Sequence, residues 1–560
     1  MIVFTTRSED VCGDMGAYKK IKVECLAWDE AWNLFKQMVG EETLSIHPNI
    51  PQLAEKVAKE CGDLPLALRI VGRAMACKKT PQEWNRALEV LKKSASDFSG
   101  MGDKVFPLLK FSYDNLRSDK VRSCFLYCAL FPEDFPIRKD DLSYCWMGDE
   151  LLNQHSKVDR AKYEGCDIIG TLIRACLLED HQSCVKMHDV VRDMALWLAS
   201  DTQKTDERFL VLTGAESDDQ LSFLEKWKYS RRVSLMKAEF GGISHSPDLL
   251  TLFLGQTYLT HLPDDGFNSM INLRVLDLFE NSSLSILPKS ISKLVTLKHL
   301  NLSSTAVEEL PVGLIALVRL EYLNLENMID LKIVPPKLIS SFSKLKVLRM
   351  LQCGKSDQIL FDGENAMIEE LQDMKHLDSL EIHSFPNLEQ LDFDRAGRAA
   401  NDPHSTVTYQ SCSLSLQNVT ISRCDQLKDL TWLIFAPNLM RLDVSSCPGM
   451  KKIIDFNRLR EVANVVKGVN PFEILTILNL KSLPVLESIY ENALPFPYLK
   501  KIGIDVCPKL KKLPLNSSSA PGRSNLIING DQQWWNGLVW EDQLSSDVFL
   551  SCFRVQTSAQ

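Results

Sequence analysis

The second half of the chain repeats one short pattern of hydrophobic and polar positions. Each copy has a leucine, two variable residues, a second leucine or similar residue, one variable residue and an apolar residue. The alternation at the end of each copy is the spacing of a short β-strand with one buried face. Ten copies occur, and they begin at residues 249, 273, 297, 320, 345, 377, 416, 439, 475 and 499. We therefore predict ten short strands at intervals along this half of the chain.

The spacing of the copies predicts how these strands are arranged. The first five copies begin 24, 24, 23 and 25 residues apart, and a period of this size with L-x-x-L-x-L is typical of leucine-rich repeats. One coil cannot bury its own leucines, so neighbouring coils must stack into a solenoid. The consensus also asks for Asn or Cys at the turn after each strand, where the side chain satisfies backbone groups. Residues at that position are Asn281, Thr305, Cys353, Cys424, Cys447 and Cys507.

The variable positions inside the strands predict a recognition surface. They point outward along one shared face, and an extended concave face is the usual binding site of a solenoid. We predict a protein-binding face formed by Arg274, Asp277, His299, Asn301, Tyr322, Asn324, Lys346 and Arg349. Further outward positions are Glu381, His383, Arg441 and Asp443. For any single residue, a solvated strand face without a ligand is the alternative.

The first half of the chain is mainly helical in its periodicity. One apolar face is formed by Ala27, Ala31, Leu34, Phe35 and Met38, and a second by Leu53, Ala54, Val57, Ala58 and Cys61. Pro65 is suited to begin the next helix, where its missing N–H costs nothing. An apolar helix follows in VRSCFLYCALFPEDFPI and another in VKMHDVVRDMALWLA, where Asp189 is predicted to cap the helix. Before all of these, Ile2–Thr5 reads as a short strand.

Composition narrows the function classes. The 560 residues are 45% hydrophobic and 24% charged, which is ordinary for a folded protein with room for three or four domains. The net charge of −9 and scattered basic pairs argue against a nucleic-acid groove. There is no run of 18 apolar residues, so we expect no membrane span. None of the 16 cysteines forms a Cys-x-x-Cys pair, which favours free thiols in a reducing compartment over a metal site.

Four short motifs carry a resemblance to a known family. They are TTRS at 5–8, GDLPLAL at 62–68, CFLYCALFPEDFPI at 124–137 and MHD at 187–189. Followed by leucine-rich repeats, and with QQWWNGLVWED at 532–542, they resemble plant intracellular disease-resistance proteins of the coiled-coil NB-ARC leucine-rich-repeat class. The resemblance implies an innate-immune receptor that recognises pathogen effectors or guarded host proteins. It also implies a cytoplasmic location and an ADP/ATP-dependent switch with at most weak ATPase activity, which is not an enzyme in the ordinary sense.

The same resemblance implies three nucleotide-contacting residues. Arg7 matches the arginine that senses the last phosphate of the nucleotide, and Pro65 matches the proline that packs on adenine. His188 matches the histidine that contacts the β-phosphate of ADP. No catalytic or metal-ligating residue is predicted.

The phosphate loop of the family does not occur among these 560 residues. The sequence G-x-x-x-x-G-K-[ST] is not found, and the one Gly-Lys-Ser, at 354–356, lies within the repeats and has Arg349 where the first glycine is required. We therefore expect an N-terminally truncated receptor with weak or no ADP or ATP binding. Two alternatives stay open: a non-switching scaffold or decoy that binds full-length immune receptors, or an incomplete gene model of a full receptor.

The expected fold is a multidomain α/β chain. Its parts are a remnant of the nucleotide-binding sheet, a helical bundle, a winged-helix-like domain, a connector, a leucine-rich-repeat solenoid and a mostly irregular tail. We predict their bounds as 1–25, 26–102, 103–200, 201–230, 231–515 and 516–560.

Overall fold

A computed structural model describes most of the chain. The described residues are 15–16, 18–19, 21, 26–61, 64–94, 109–153, 158–200, 208–212, 225–238, 242–243, 245–354, 370, 374, 376–383, 416–457, 472–519, 525–540 and 543–555. They fall into two compact units. The first comprises Met1–Phe125 with Ile168–Ala195, and the second comprises Leu126–Asp167 with Leu196–Gln560. The remnant predicted at 1–25, with Arg7, lies almost wholly outside the described residues.

Five helices build the core of the first unit. They are α1 (Trp28–Val39), α2 (Glu41–Ser45), α3 (Ile50–Glu60), α4 (Pro65–Met75) and α5 (Pro81–Ser94). Phe35, Val57 and Leu68 are fully buried between them. Gly72 lets α1 and α4 approach closely, because a Cβ at this position would lie 2.7 Å from the Cβ of Met38. The predicted helical faces are confirmed except at Ala27, which precedes α1 and is exposed, and Pro65 begins α4 as expected.

The next part of the chain alternates helices with very short strands. Its elements are α6 (Asp119–Cys128), β1 (Ile137–Arg138), α7 (Lys139–Gly148), α8 (Val158–Arg174), β2 (Glu179–His181), β3 (Cys184–Lys186) and α9 (Asp189–Ser200). Strands β2 and β3 form an antiparallel hairpin. Pro132 and Pro136 lie between α6 and β1, where neither interrupts a helix. None of the helices that the structure describes has the length and apolar composition that crossing a membrane requires.

The solenoid is one continuous parallel sheet. Its strands are β4 (Phe209–Val211), β5 (Arg232–Ser234), β6 (Thr251–Phe253), β7 (Val275–Asp277), β8 (His299–Asn301), β9 (Tyr322–Asn324), β10 (Val347–Leu351), β11 (Ser379–His383), β12 (Asn418–Ser422), β13 (Arg441–Ser445), β14 (Ile477–Lys481), β15 (Lys501–Asp505), β16 (Ile527–Gly530) and β17 (Phe553–Val555). They pair strictly in chain order. The α/β solenoid expected from the repeat period is therefore confirmed.

The repeat consensus explains the core of the solenoid. The central leucine of each early strand, such as Leu276, Leu300 and Leu323, is at most 1% exposed. At the turn position, Asn281 donates from Nδ2 to the carbonyl of Leu254 at 2.7 Å, and the Cys353 thiol donates to that of Leu325 at 2.8 Å. These side chains satisfy buried carbonyl groups where the backbone turns. The predicted structural role of the turn residues is confirmed.

The sheet extends beyond the predicted solenoid at both ends. Strand β4 lies in the predicted connector, and β16 and β17 lie in the predicted irregular tail, which also forms α10 (Gln532–Asn536) and α11 (Gln543–Leu550). The expectation of an irregular tail was wrong. Trp535 stacks on Phe553 at 4.3 Å, and Trp540 stacks on Phe549 at 5.8 Å. These rings join the leucine core and cover the last coil that the structure describes.

Candidate functional site on the concave face

The outward side chains of the repeats stand in straight rows. Parallel pairing places Asp277 beside Asn301, Asn301 beside Asn324, and Asn324 beside Arg349. By backbone register, the same position is occupied in the later strands by Glu381, Thr420, Asp443, Asn479 and Gly503. Because each strand repeats the same register, equivalent outward positions form one continuous concave face.

Residues 126–167 of the same unit cover the first part of this face. His299, Tyr322, Asn324 and Arg349 are buried, and the other four predicted binding residues are half-buried. The sequence predicted an outward protein-binding or solvated face here; four of the eight residues are instead covered and the other four are only partly accessible. The reason is that α7 and its flanking residues lie on strands β5–β10. A role for these residues in binding a separate protein stays a prediction.

An aromatic stack holds the middle of α7 on the strands. The ring of Tyr144 lies 4.7 Å from that of Tyr322, which stacks on His299 at 4.3 Å and 12°. The Cys145 thiol lies 4.0 Å from His299 Nε2. At Gly148 the helix comes so close that an added Cβ would lie 2.9 Å from the Cβ of His299. The packing leaves no room for a larger residue at this position.

A buried ion pair fixes the end of α7. Asp149, whose side chain is completely buried, accepts a hydrogen bond at Oδ2 from Arg232 Nε at 2.6 Å. The same oxygen accepts one from the hydroxyl of Thr251 at 3.1 Å. The guanidinium of Arg232 also lies over the rings of Tyr127 and Phe209. Removing either charged partner is strongly destabilising in such a site, because the other charge stays buried.

More exposed ion pairs flank this buried contact. Glu150 accepts from Arg274 at 2.8 Å and from Lys298 at 2.7 Å. Asp141 accepts from Arg349 at 2.8 Å. Acidic side chains of residues 126–167 thus meet basic side chains of the strands. Opposite charges at these positions fix the register of α7 across the face.

The start of α8 makes a separate contact farther along the sheet. The backbone N–H of Val158, the first residue of α8, donates to Asp378 Oδ2 at 3.0 Å, and Gln417 donates to the other carboxylate oxygen at 2.7 Å. Asn418 donates to Asp159 at 3.3 Å. Burial raises the pKa of Asp378, and its hydrogen bonds partly oppose that shift. Residues 126–167 therefore contact the solenoid from β5 to β12.

Sequence reasoning missed Asp141, Asp149, Glu150 and Asp378. All four are ordinary surface residue types, and no motif marks them. The available signal was charge: residues 133–150 contain six acidic and two basic side chains, whereas the outward positions of the early strands are rich in arginine and lysine. That contrast was visible, but the sequence did not show that the two regions meet.

The concave face beyond α8 is open among the described residues. Arg441 and Lys501, which head strands β13 and β15, are exposed. Asn479 donates to Asp443 at 2.5 Å in the central row, and Asp505 accepts from Lys481 at 3.3 Å on the far side. This open concave face, on β12–β15, presents both charge signs and hydrogen-bonding groups.

The predicted nucleotide contacts belong to the first unit. Pro65 is exposed at the start of α4. His188 precedes α9 and is half-exposed; its carbonyl accepts from the N–H of Arg192, and its Nδ1 accepts from the N–H of Val190 at 3.3 Å and contacts Asp189. The helix begins at Asp189, and Asp189 Oδ1 accepts from the same N–H of Val190 at 2.7 Å, so the predicted capping residue does bond the start of α9 and His188 shares that role. Nδ1 faces the helix, so Nε2 is the nitrogen directed away from it.

Burial of His299 predicts a pH-dependent contribution to stability. Burial lowers the pKa of His299 from 6.5 to about 3, with Tyr144, Cys145, Tyr322 and Arg349 around it. The unfolded chain then binds more protons below pH 6.5, so the free energy of unfolding falls as the pH drops from about 6.5 to about 3.

We expect His299→Gln to flatten this part of the pH profile of urea unfolding, by at most about 1.4 kcal/mol per pH unit. The exposed His261 provides the matched control, and His261→Gln should leave the profile unchanged. Equal profiles for His299→Gln and the native chain would show that His299 is not buried in its neutral form.

The chain matches family models and known proteins along most of its length. Family models match at residues 1–45 (NB-ARC domain), 130–195 (disease resistance protein winged helix domain) and 251–522 (leucine-rich repeat region). The chain is 39% identical to the Arabidopsis thaliana disease resistance protein RPS5, over 99% of this chain and 67% of that protein. It is 40% identical to RFL1 and to SUMM2 of the same plant, over 99% of this chain and 68% and 66% of those proteins. The chain therefore belongs to the family of plant disease resistance proteins with NB-ARC, winged-helix and leucine-rich-repeat regions.

Proposed function

We propose that this chain is the sensing part of an immune receptor, which recognises a pathogen effector or a guarded host protein through the open concave face. The observation that carries the proposal is the division of the concave face. Residues 126–167 occupy the part on β5–β12, and the outward side chains on β12–β15 stay accessible at Arg441, Lys481 and Lys501. Solenoids bind partners on such extended concave surfaces.

The occupied part of the face supports a second role. Residues 130–167 lie within the region that the winged-helix family model matches and also pack on the repeats. A ligand that shifts the repeats would therefore act on residues 130–167, which continue in the chain into the rest of the winged-helix region. We propose a cytoplasmic location, which the family resemblance implies, and we assign the protein no ordinary enzymatic activity.

A rescue experiment tests the recognition role. Silencing the gene in its source plant, followed by challenge with a panel of pathogen isolates, should remove resistance to at least one isolate. The native sequence should restore that resistance, whereas a Lys481→Glu/Lys501→Glu variant with normal protein abundance should not. Lys289→Glu/Lys293→Glu, at two exposed positions of the 3₁₀ helix Lys289–Lys293 outside the strands, is the matched control. Full rescue by the Lys481/Lys501 variant would contradict recognition through the open concave face.

Nucleotide binding by this chain is expected to be weak or absent. The family implies ADP or ATP, and by the family pattern Arg7, Pro65 and His188 would contact it. Phosphate-loop amides and lysine supply most contacts to a nucleotide's phosphates, and the loop sequence does not occur in these 560 residues. Losing several such contacts lowers affinity by orders of magnitude.

Titration of the purified chain with fluorescent ADP measures this directly. We expect no saturation at micromolar ADP and no difference between the native chain and His188→Ala. Sub-micromolar binding that His188→Ala abolishes would overturn this prediction, and it would show that the residues present form a working nucleotide site.

The lack of a phosphate-loop sequence among these 560 residues also supports a second candidate function. A chain that binds the ligand without a phosphate loop would act as a scaffold or decoy for full-length receptors. Transcript sequence upstream of the Met1 codon separates this from the sensing part of a complete receptor, because an open reading frame that continues into a phosphate loop excludes the scaffold.

A further inference from the structure

Two turn cysteines of the solenoid occupy the same place in consecutive coils. Strands β12 and β13 pair in register, with Ser422 opposite Ser445 at their ends. Each strand is followed by one residue in the left-handed region, Arg423 at φ 50° and Ser446 at φ 53°, and then by a cysteine. The backbone therefore places Cys424 and Cys447 one strand spacing apart, about 4.8 Å.

This separation suits a disulfide. Cα atoms of bridged cysteines are usually about 4.4–6.8 Å apart, so the link needs no large backbone movement. Both side chains point into the core and are fully buried. Each Sγ lies near the carbonyl oxygen two residues before it, Cys424 Sγ at 3.5 Å from that of Ser422 and Cys447 Sγ at 3.3 Å from that of Ser445. Both thiols are reduced in this structure.

The two thiols also interact with each other. A hydrogen bond from Cys424 lowers the pKa of Cys447, which favours its thiolate. Burial acts against this shift at Cys447, and at Cys507 and Cys353 it is the largest effect: it raises the pKa of Cys507 to about 11 and also raises that of Cys353. The coil that follows Cys447 has Leu483 at the equivalent position, so the repeats place no cysteine beside Cys507 there. Among the described turns, Cys424 and Cys447 are the pair of consecutive cysteines.

We propose that Cys424 and Cys447 form an oxidation site at which a hydroperoxide converts the thiol pair into a disulfide that joins two coils beneath the open concave face. The Cys447 thiolate attacks one peroxide oxygen, the O–O bond breaks, and the leaving oxygen departs as water after protonation. The sulfur of Cys424 then attacks the resulting sulfenic acid, loses its proton and releases a second water. Two thiols and one hydrogen peroxide thus give one disulfide and two waters.

The disulfide changes the solenoid locally. It removes both S–H groups beside the carbonyls of Ser422 and Ser445, and it fixes the spacing of two coils whose outward residues include Thr420 and Asp443. Because both thiols are buried, the oxidant gains access through local opening of this turn. The site does not depend on which ligand the concave face binds.

Peptide mapping tests the proposal on the intact chain. The purified protein is treated with hydrogen peroxide without denaturant until the exposed Cys77 and Cys166 are fully oxidised, and the remaining thiols are blocked with N-ethylmaleimide. Trypsin should then release CDQLK (424–428) joined to LDVSSCPGMK (442–451). We expect roughly tenfold more of this link than of any link that includes Cys507, and dithiothreitol should reverse it.

Variants separate pairing from general oxidation. Cys447→Ser should abolish the link, and Cys507→Ser, at an equivalent turn without a cysteine neighbour in the preceding coil, should leave it intact. If Cys447→Ser fails to fold, the peptide map of the native chain still shows whether Cys424 and Cys447 are linked. Recovery of both cysteines as N-ethylmaleimide adducts, or of Cys447 as sulfinic acid without a link, would overturn the proposal. A link that forms only in urea would do so as well.

Discussion

Asp149→Ala is expected to lower the stability of the first repeats by about 3–5 kcal/mol, the largest effect of any single substitution in the contact between α7 and the strands. The substitution removes the carboxylate that Arg232 contacts at 2.6 Å, while the guanidinium stays 7% exposed. It also removes the acceptor of the Thr251 hydroxyl. Because a buried charge loses its counter-charge, the loss exceeds that of an ordinary hydrogen bond.

Hydrogen–deuterium exchange in increasing urea measures the stability of individual segments. A local measurement is needed because a chain with two compact units has no single free energy of unfolding. Peptides that contain β5 and β6 should open at lower urea in Asp149→Ala. Glu150→Ala is the matched control, since the adjacent carboxylate is 32% exposed and its pairs with Arg274 and Lys298 contribute little. Equal effects of the two substitutions would contradict a buried, stability-determining pair at Asp149.

Gly148→Ala is expected to push α7 away from the strands. The substitution should lower the free energy of unfolding of this part of the chain by about 1–3 kcal/mol. Its Cβ would lie 2.9 Å from the Cβ of His299 and 3.0 Å from a methyl group of Val275, and both are anchored in the sheet. Neither neighbour has a flexible end that can turn away, so the helix must shift. We expect faster hydrogen–deuterium exchange at residues 139–150 and at β7–β9. Exchange in peptides that contain only leucine-core residues away from α7 should be unchanged.

Gly170→Ala supplies the control for helix propensity. Gly170 lies inside α8, and its added Cβ would meet only the flexible end of Arg174 at 3.2 Å. Alanine is favoured over glycine in a helix by about 1 kcal/mol, so this variant should be slightly more stable than the native chain. The two alanine substitutions therefore have opposite expected signs. A stabilising Gly148→Ala would show that α7 does not lie tightly on His299 and Val275.

The solenoid and the turn residues could be predicted from sequence because their causes are local. Leucine spacing sets the strand, and a polar or thiol side chain at a fixed offset satisfies the turn, as Asn281 and Cys353 show. Pro65 at the start of α4 is equally local, since its fixed φ and missing N–H suit that position. At α9 the predicted capping residue Asp189 accepts from the N–H of Val190, and the sequence did not show that His188 would accept from the same group.

The coverage of the concave face could not be predicted in this way. Arg232 and Asp149 are 83 residues apart in sequence, and Arg349 and Asp141 are 208 apart. Nothing local distinguishes an arginine that faces solvent from one that meets an acidic helix. The structured tail was missed for a similar reason, since its aromatic residues become a core only when the last coil lies beside them.

By itself, the sequence determined that leucines at a near-constant period stack into a parallel solenoid, and that helices with one apolar face precede it, because periodicity fixes which side of each element is buried. Only the tertiary structure decided which outward positions stay exposed. Burial of a polar face requires a partner surface with matching charges and shape, and here that partner is brought in by chain segments far apart in sequence.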